Sequence, residues 1–238
     1  MRVVGLGGDE PVEGTADLVV AIDGPAGSGK STVARRVAER AGLRHLDTGA
    51  TYRALTHALL RQGVDVEDPE AVADAAKAVD LTLELAPGPA GSARVLLDGV
   101  EPGPALRSPA VNAAVSTVAA VPAVRELLVG LQRSLVGVGG IVVEGRDIGT
   151  VVWPDAQVKV FLTASEDERA RRRGGDTEGG GETAETLARR DAIDSGRAAS
   201  PTRPAADALI VDSTTRSVDQ VVDLLLDLIE GARASRPR

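Results

Sequence analysis

Short apolar runs, separated by segments of helix length, recur along the chain and predict the strands of one buried sheet. They lie at residues 18–22, 43–46, 141–143, 158–162 and 209–211. Most are continuously apolar and rich in β-branched residues, which is typical of parallel strands covered on both faces. The pattern predicts an α/β fold in three layers, with a five-stranded parallel sheet between two layers of helices.

Two helix starts carry a recognisable capping signal. Ser165 is followed three residues later by Glu168, and Ser217 in the same way by Gln220. A Ser side chain at the N-cap and a Glu or Gln at the third helical position satisfy each other's free backbone amides. We therefore expect helices to begin after Ser165 and Ser217. The second one has the amphipathic spacing of a packed terminal helix.

Three stretches depart from the alternation of strands and helices. Residues 79–107 contain an alternating apolar segment and a second apolar run around a Pro- and Gly-rich turn, which predicts a small antiparallel insert. Residues 174–182 hold five glycines with acidic residues and no apolar anchor, so we expect a mobile lid that extends to residue 197. Residues 1–17 and 231–238 are expected to be a flexible leader and a tail of a single domain at residues 18–230.

The strongest motif in the chain is the phosphate-binding loop GPAGSGKS at residues 24–31. It follows an apolar strand and opens a helix, the context in which the motif binds nucleotide phosphates. The residues assigned to ATP are Gly24, Pro25, Ala26, Gly27, Ser28, Gly29, Lys30, Ser31 and Thr32. Lys30 is suited to the β- and γ-phosphates, and the Ser31 hydroxyl to Mg²⁺, partly through water. A glycine-rich turn with an incidental lysine is the alternative, but the chain has only three lysines.

Composition excludes several classes of function. The net charge is −8 and aromatic residues make up 1% of the chain, so a basic or base-stacking surface for nucleic acid is not expected. There is no cysteine, which rules out disulfides and thiolate chemistry. Neither a signal peptide nor an uninterrupted apolar span is apparent. We expect a monomeric cytoplasmic protein that does not bind membranes.

The reaction must be inferred from residues outside the loop. A GTPase would need an Asn-Lys-x-Asp motif, and the only asparagine, Asn112, precedes an alanine. Charged groups instead cluster after the predicted strands, at residues 46–53 and 144–147. Arg190, Asp194 and Arg197 share one helix face and suit the charge that develops in phosphoryl transfer. Their spacing also fits an ordinary solvated salt bridge, and on spacing alone that alternative is favoured.

Together these segments resemble one family, the bacterial cytidylate kinases, over about residues 18–230. The similarity runs through the phosphate loop, the Leu-Asp-Thr-Gly-Ala string at residues 46–50, and the Glu-Gly-Arg-Asp-Ile-Gly-Thr string at residues 144–150. It continues in residues 159–165, 190–197 and 207–214. The string at 144–150 is far more specific than the phosphate loop. The resemblance implies a P-loop NTPase fold whose small insert binds CMP.

The resemblance also implies a set of site residues. Those expected to bind CMP or dCMP are Thr48, Tyr52, Arg53, Ser116, Arg125, Arg146, Asp147, Arg190, Asp194 and Arg197. Thr48, Arg125 and Asp147 would surround the cytosine. Ser116, Arg190 and Asp194 would contact the sugar, and Arg53, Arg146 and Arg197 the acceptor phosphate. The catalytic cations would be Lys30, Arg146, Arg190 and Arg197, with Mg²⁺ accompanying ATP.

The implied activity is transfer of the γ-phosphoryl group of ATP to CMP or dCMP. One alternative is another small P-loop kinase, for AMP, dTMP or shikimate, although such kinases lack the string at 144–150 and the insert. Another is a regulatory protein that binds nucleotides without catalysis. It would bind ATP but show no turnover that depends on an acceptor.

Overall fold

A computed structural model describes residues 1–4, 17–86, 91–175, 184–197 and 200–235 of the chain. The strands in these ranges are β1 (Arg2–Val4), β2 (Val19–Asp23), β3 (Arg44–Asp47), β4 (Leu81–Leu85), β5 (Ala93–Leu97), β6 (Ile141–Glu144), β7 (Val158–Thr163) and β8 (Leu209–Asp212). The helices are α1 (Lys30–Ala41), α2 (Thr48–Arg61), α3 (Pro69–Ala78), α4 (Pro109–Ala120), α5 (Pro122–Val136), α6 (Glu166–Gly175), α7 (Ala184–Gly196) and α8 (Val218–Ala234).

The main sheet has five parallel strands in the order β3-β6-β2-β7-β8. Each overlaps one of the five predicted apolar runs, so the prediction of a five-stranded parallel sheet is confirmed. Successive side chains of a strand point to opposite sides of the sheet, and helices pack on both sides. In β2, Val19 and Ala21 pack with α2 to α5, whereas Val20 and Ile22 pack with α1 and α8.

A second, three-stranded sheet has the order β1-β4-β5. Its β4 and β5 are antiparallel, as predicted for residues 79–107, and the turn at residues 87–90 lies outside the described residues. The prediction of a flexible leader is wrong for residues 2–4. They form a strand parallel to β4, in which Val3 packs against the main core. Glycine and acidic residues suggested the leader, but they fall at residues 5–16, outside the described ranges.

Both predicted helix starts are present, one of them with only half of its capping box. At Ser217 the side chain accepts from the Gln220 amide and the Gln220 side chain accepts from the Ser217 amide. At Ser165 only the Glu168 amide donates to the hydroxyl, at 3.3 Å. The Glu168 carboxylate instead binds Arg171 and Arg172.

The predicted lid is described only in part. Residues 174 and 175 end α6, residues 176–183 lie outside the described residues, and α7 follows. The mobility of this segment stays a prediction. Over the described ranges, no single helix is long and apolar enough to cross a membrane. Helices α4 and α5 pass that test only as a pair, bent by 95°.

Candidate active site

The candidate site is a cleft of about 840 Å³ at the carboxyl edge of the main sheet. The phosphate loop follows β2, α2 follows β3, and residues 145–147 follow β6. These strands are neighbours in the sheet and run in the same direction, so their carboxyl ends bring the three segments together. Open α/β folds bind their ligands at this edge.

The phosphate loop is packed closely against the neighbouring strand. A Cβ on Gly24, whose φ is +146°, would lie 2.0 Å from the Leu162 carbonyl oxygen, so no other residue fits there. Lys30 begins α1, and its Nζ donates to the Pro25 carbonyl at 2.6 Å. The ammonium group therefore lies within the loop, next to the site where phosphates would bind.

A buried chain of polar contacts runs behind the loop. The Ser31 hydroxyl donates to Glu144 Oε2 at 2.7 Å, and Glu144 Oε1 lies 3.0 Å from His45 Nε2. Burial disfavours the charge on Glu144, but hydrogen bonds from His45 and Ser31 outweigh burial and hold its pKa below the ordinary value. A charged carboxylate thus stands beside the predicted magnesium ligand.

A second group of residues lies on the acceptor side of the cleft. Arg125 pairs with Asp147, and its guanidinium lies 5.7 Å from the centre of the Tyr52 ring. Ser200 also contributes a side-chain hydrogen bond to Asp147. Burial raises the pKa of Asp147 despite Arg125 and Arg197, and burial raises the pKa of Tyr52 to about 12.

Three more predicted CMP residues lie in the cleft. The Thr48 hydroxyl donates to the Glu144 carbonyl at 2.7 Å, and Arg53 donates to the Leu106 carbonyl at 3.2 Å. Ser116 is buried on α4. All three line the cleft, and their contacts with CMP stay a prediction.

Arg190, Asp194 and Arg197 do not form a solvated surface pair. Asp194 is 3% exposed and Arg190 is 6% exposed, and all three line the cleft. Asp194 pairs with Arg197 and accepts from Arg146 Nε at 3.1 Å. Burial opposes the charge on Asp194, but these arginines and Arg190 hold its pKa below the ordinary value. The solvated-face alternative, which spacing alone favoured, is therefore wrong.

The cleft is strongly cationic in a chain whose net charge is −8. Among the described residues, eleven basic and five acidic side chains line it. All predicted site residues line it except Gly24, Pro25 and Ala26, the first three residues of the loop. Of the described part of the insert at residues 79–107, only Arg107 reaches the cleft. Such an excess of positive charge favours polyanionic ligands.

Comparison with known proteins identifies the family. A family model described as cytidylate kinase matches residues 20–231. The cytidylate kinase of Rhodococcus opacus (strain B4) is 54% identical over 219 residues, which cover 89% of this chain and 94% of that protein. That of Mycobacterium avium (strain 104) is 49% identical over 222 residues, covering 90% and 96%. The chain belongs to the cytidylate kinase family.

Family membership confirms the resemblance seen in the motifs, and a different small P-loop kinase is not favoured. Among solved structures, a shikimate kinase from Acinetobacter baumannii aligns over 91% of this chain and 95% of its own. Its TM-score is 0.46 and its identity 13%, a similarity too low to bear on the substrate of this chain.

Sequence reasoning missed several residues of this site. It assigned no individual role to His45 or Glu144, yet Glu144 accepts from the Ser31 hydroxyl and lies 3.0 Å from His45 Nε2. Asp23, at the end of β2, accepts the Ile148 and Gly149 amides at 2.8 Å each. Those amides open a π-helical turn, Ile148–Val152, that follows the acceptor residues. The position of an acid at the end of a buried parallel strand was the one signal available for Asp23 and Glu144.

Three consecutive arginines at residues 171–173 have different surroundings in the structure. Arg171 is exposed and pairs with Glu168, as a solvated side chain would. Arg172 lies at the phosphate loop, where it donates to the Ser28 carbonyl at 3.3 Å and to the Ser213 carbonyl at 2.8 Å. The side chain of Arg173 lies outside the described residues.

Proposed function

We propose that the cleft catalyses transfer of the γ-phosphoryl group of ATP to CMP or dCMP. The observation that supports this most directly is the arrangement of the two halves of the cleft. The phosphate loop lies beside a buried cluster of arginines and carboxylates, and Arg146 connects the loop with this cluster. Arg146 donates to the Gly24 carbonyl at 3.1 Å and to Asp194 at 3.1 Å. One guanidinium thus connects the donor loop with the acceptor side.

The donor nucleotide binds with its phosphates in the loop at residues 24–32. Lys30 exchanges its bond to the Pro25 carbonyl for the β- and γ-phosphate oxygens. The N-terminus of α1 adds the partial positive charge of its free amides. The same loop amides hold the phosphates in one orientation, which places the γ-phosphorus toward the acceptor.

The donor set at Ser31 fits a magnesium ion. Mg²⁺ prefers oxygen ligands and is commonly held by one or two protein oxygens together with phosphates and water. The Ser31 hydroxyl and the Glu144 carboxylate, 2.7 Å apart, supply such oxygens. Ser31 would ligate the ion directly and Glu144 through water. When bound, Mg²⁺ neutralises phosphate charge during the transfer.

The acceptor nucleotide occupies the other half of the cleft. Asp147 and Arg125 offer an acceptor and a donor to the edge of cytosine, with Thr48 beside them. Ser116, Arg190 and Asp194 contact the sugar. Arg53, Arg146 and Arg197 hold the acceptor phosphate, whose oxygen attacks the γ-phosphorus. Tyr52 also lies on this side of the cleft, and the Arg125 guanidinium is 5.7 Å from the centre of its ring.

Catalysis comes from positioning and charge stabilisation. Phosphoryl transfer passes through a loose transition state with charge spread over the equatorial oxygens. Lys30, Arg146, Arg190 and Arg197 all line the cleft, where positioned cations stabilise the charge that develops in the transition state. The protein supplies no nucleophile, because the CMP phosphate is itself the nucleophile. A monomeric state and a cytoplasmic location stay predictions.

The test is a turnover panel of nucleoside monophosphates with Mg·ATP. CMP and dCMP should be the best acceptors because Asp147 and Arg125 match the cytosine edge. Faster turnover of AMP or dTMP than of CMP would contradict the assignment. Binding of ATP with no acceptor-dependent ADP release would instead support a regulatory protein.

A further inference from the structure

An ion pair outside the cleft encloses the backbone of the phosphate loop at Ala26. The Ala26 amide donates to Asp191 Oδ1 at 3.2 Å, and the Ala26 carbonyl accepts from Arg169 Nη1 at 3.2 Å. Asp191 Oδ2 and the same nitrogen of Arg169 form a salt bridge. Both polar groups of one loop residue are thus held by one pair of opposite charges.

Arg169 is fixed in place by more than this pair. It is 8% exposed, and its Nε donates to the Ala164 carbonyl at 3.2 Å. Gly27 packs directly on it: a Cβ there, at φ +77°, would lie 2.9 Å from the Arg169 Cβ. A buried guanidinium with several fixed partners has few alternative positions, so it is a rigid support for the loop.

The two residues come from helices on either side of the lid segment. Arg169 lies on α6, and Asp191 lies on α7 between Arg190 and Asp194, which line the acceptor half of the cleft. Neither Arg169 nor Asp191 is among the residues that line the described cleft. They therefore act on bound nucleotides only through other residues.

We infer that Asp191 and Arg169 are positioning residues that set the conformation of the donor loop at Ala26. The inference rests on the proposed binding of the ATP phosphates to the loop. If Asp191 loses its charge, Arg169 remains buried beside Ala26 without its counter-ion, and the loop shifts. A substitution on the acceptor helix thereby weakens binding of the donor nucleotide. A shift of about 1 Å is enough to matter where several amides must meet one phosphate.

The experiment compares Asp191→Asn with Asp194→Asn, a matched pair of substitutions one turn apart on α7. Calorimetry measures the affinity of each variant for a non-hydrolysable ATP analogue with Mg²⁺ and, separately, for CMP. Asp191→Asn should weaken the ATP analogue about tenfold and change CMP affinity less than twofold. Asp194→Asn should show the opposite pattern. Equal effects of Asp191→Asn on both ligands, or an effect on CMP alone, would overturn the inference.

Three further variants complete the test. The double variant Asp191→Asn with Arg169→Gln should lose no more ATP-analogue affinity than the worse single variant, because both disrupt one interaction. Additive losses would show that the residues act separately. Should Asp191→Asn not fold, Arg169→Lys, which keeps the charge but not the fork of donors, provides the same donor-against-acceptor comparison. Lys30→Ala serves as the separate control: if it binds the ATP analogue like the wild type, the proposed function fails rather than this inference.

Discussion

Replacement of Asp23 by Asn should make the protein's stability depend less on pH. Asp23 is 4% exposed at the end of β2, and burial raises its pKa from 3.8 to about 6 against the opposing effect of the Gly149 and Ile148 amides. A raised pKa means that the folded state holds the proton more tightly than the unfolded chain. The contribution of this group to stability is therefore fully present below pH 3.8 and is lost as the pH rises through 6.

The size of the effect follows from that shift. A change from 3.8 to about 6 corresponds to about 3 kcal/mol, of which about 2 kcal/mol develops between pH 4.5 and 7.5. Asn cannot ionise, so Asp23→Asn lacks this pH-dependent loss. It also gives up one of the two accepted hydrogen bonds, at a penalty that is the same at every pH.

Urea unfolding of the wild type and of Asp23→Asn at pH 4.5 and 7.5 provides the measurement. The free energy of unfolding of the variant minus that of the wild type should increase by about 2 kcal/mol between these pH values. Asp155→Asn, at an exposed aspartate, is the control and should show no comparable change. A difference that stays constant or decreases with pH would refute the reasoning.

Two other substitutions test the cleft itself. Arg197→Ala should reduce CMP turnover in steady-state kinetics about tenfold to a hundredfold, because a charge-assisted contact is worth about 1.5–3 kcal/mol, and near-normal turnover would argue against the clamp. Glu144→Gln should raise the Mg²⁺ concentration for half-maximal rate about tenfold while the KM for CMP stays the same, and an unchanged magnesium titration would remove Glu144 from the ion site.

The apolar pattern by itself determined the main sheet. The runs that became the central strands β2 and β6 are continuously apolar because a parallel strand buried on both faces is covered along its whole length, and that requirement is local. The phosphate loop was equally readable, since its glycines, Lys30 and Ser31 are consecutive in the chain. The strings around Thr48 and Asp147 predicted residues that do line one cleft.

Local pattern misled where the decisive contact was distant. Residues 2–4 carried no sign of their partner β4, about 80 positions later. The spacing of Arg190, Asp194 and Arg197 is the same for a solvated salt bridge and for a buried cluster. The packing of α7 against the cleft distinguishes the buried cluster from the solvated salt bridge. It brings Asp194 to Arg146, which lies in the segment after β6.

Tertiary structure alone decided which polar groups meet behind the loop. Ser31 and Glu144 are 113 positions apart, and Ala26 and Asp191 are 165 apart. Such pairs are fixed by the order of the strands in the sheet and by the docking of α6 and α7, and neither leaves a periodic trace in the sequence. The chain therefore encodes its strands and its phosphate loop in local spacing, whereas the supports that hold the loop exist only once the distant segments have packed together.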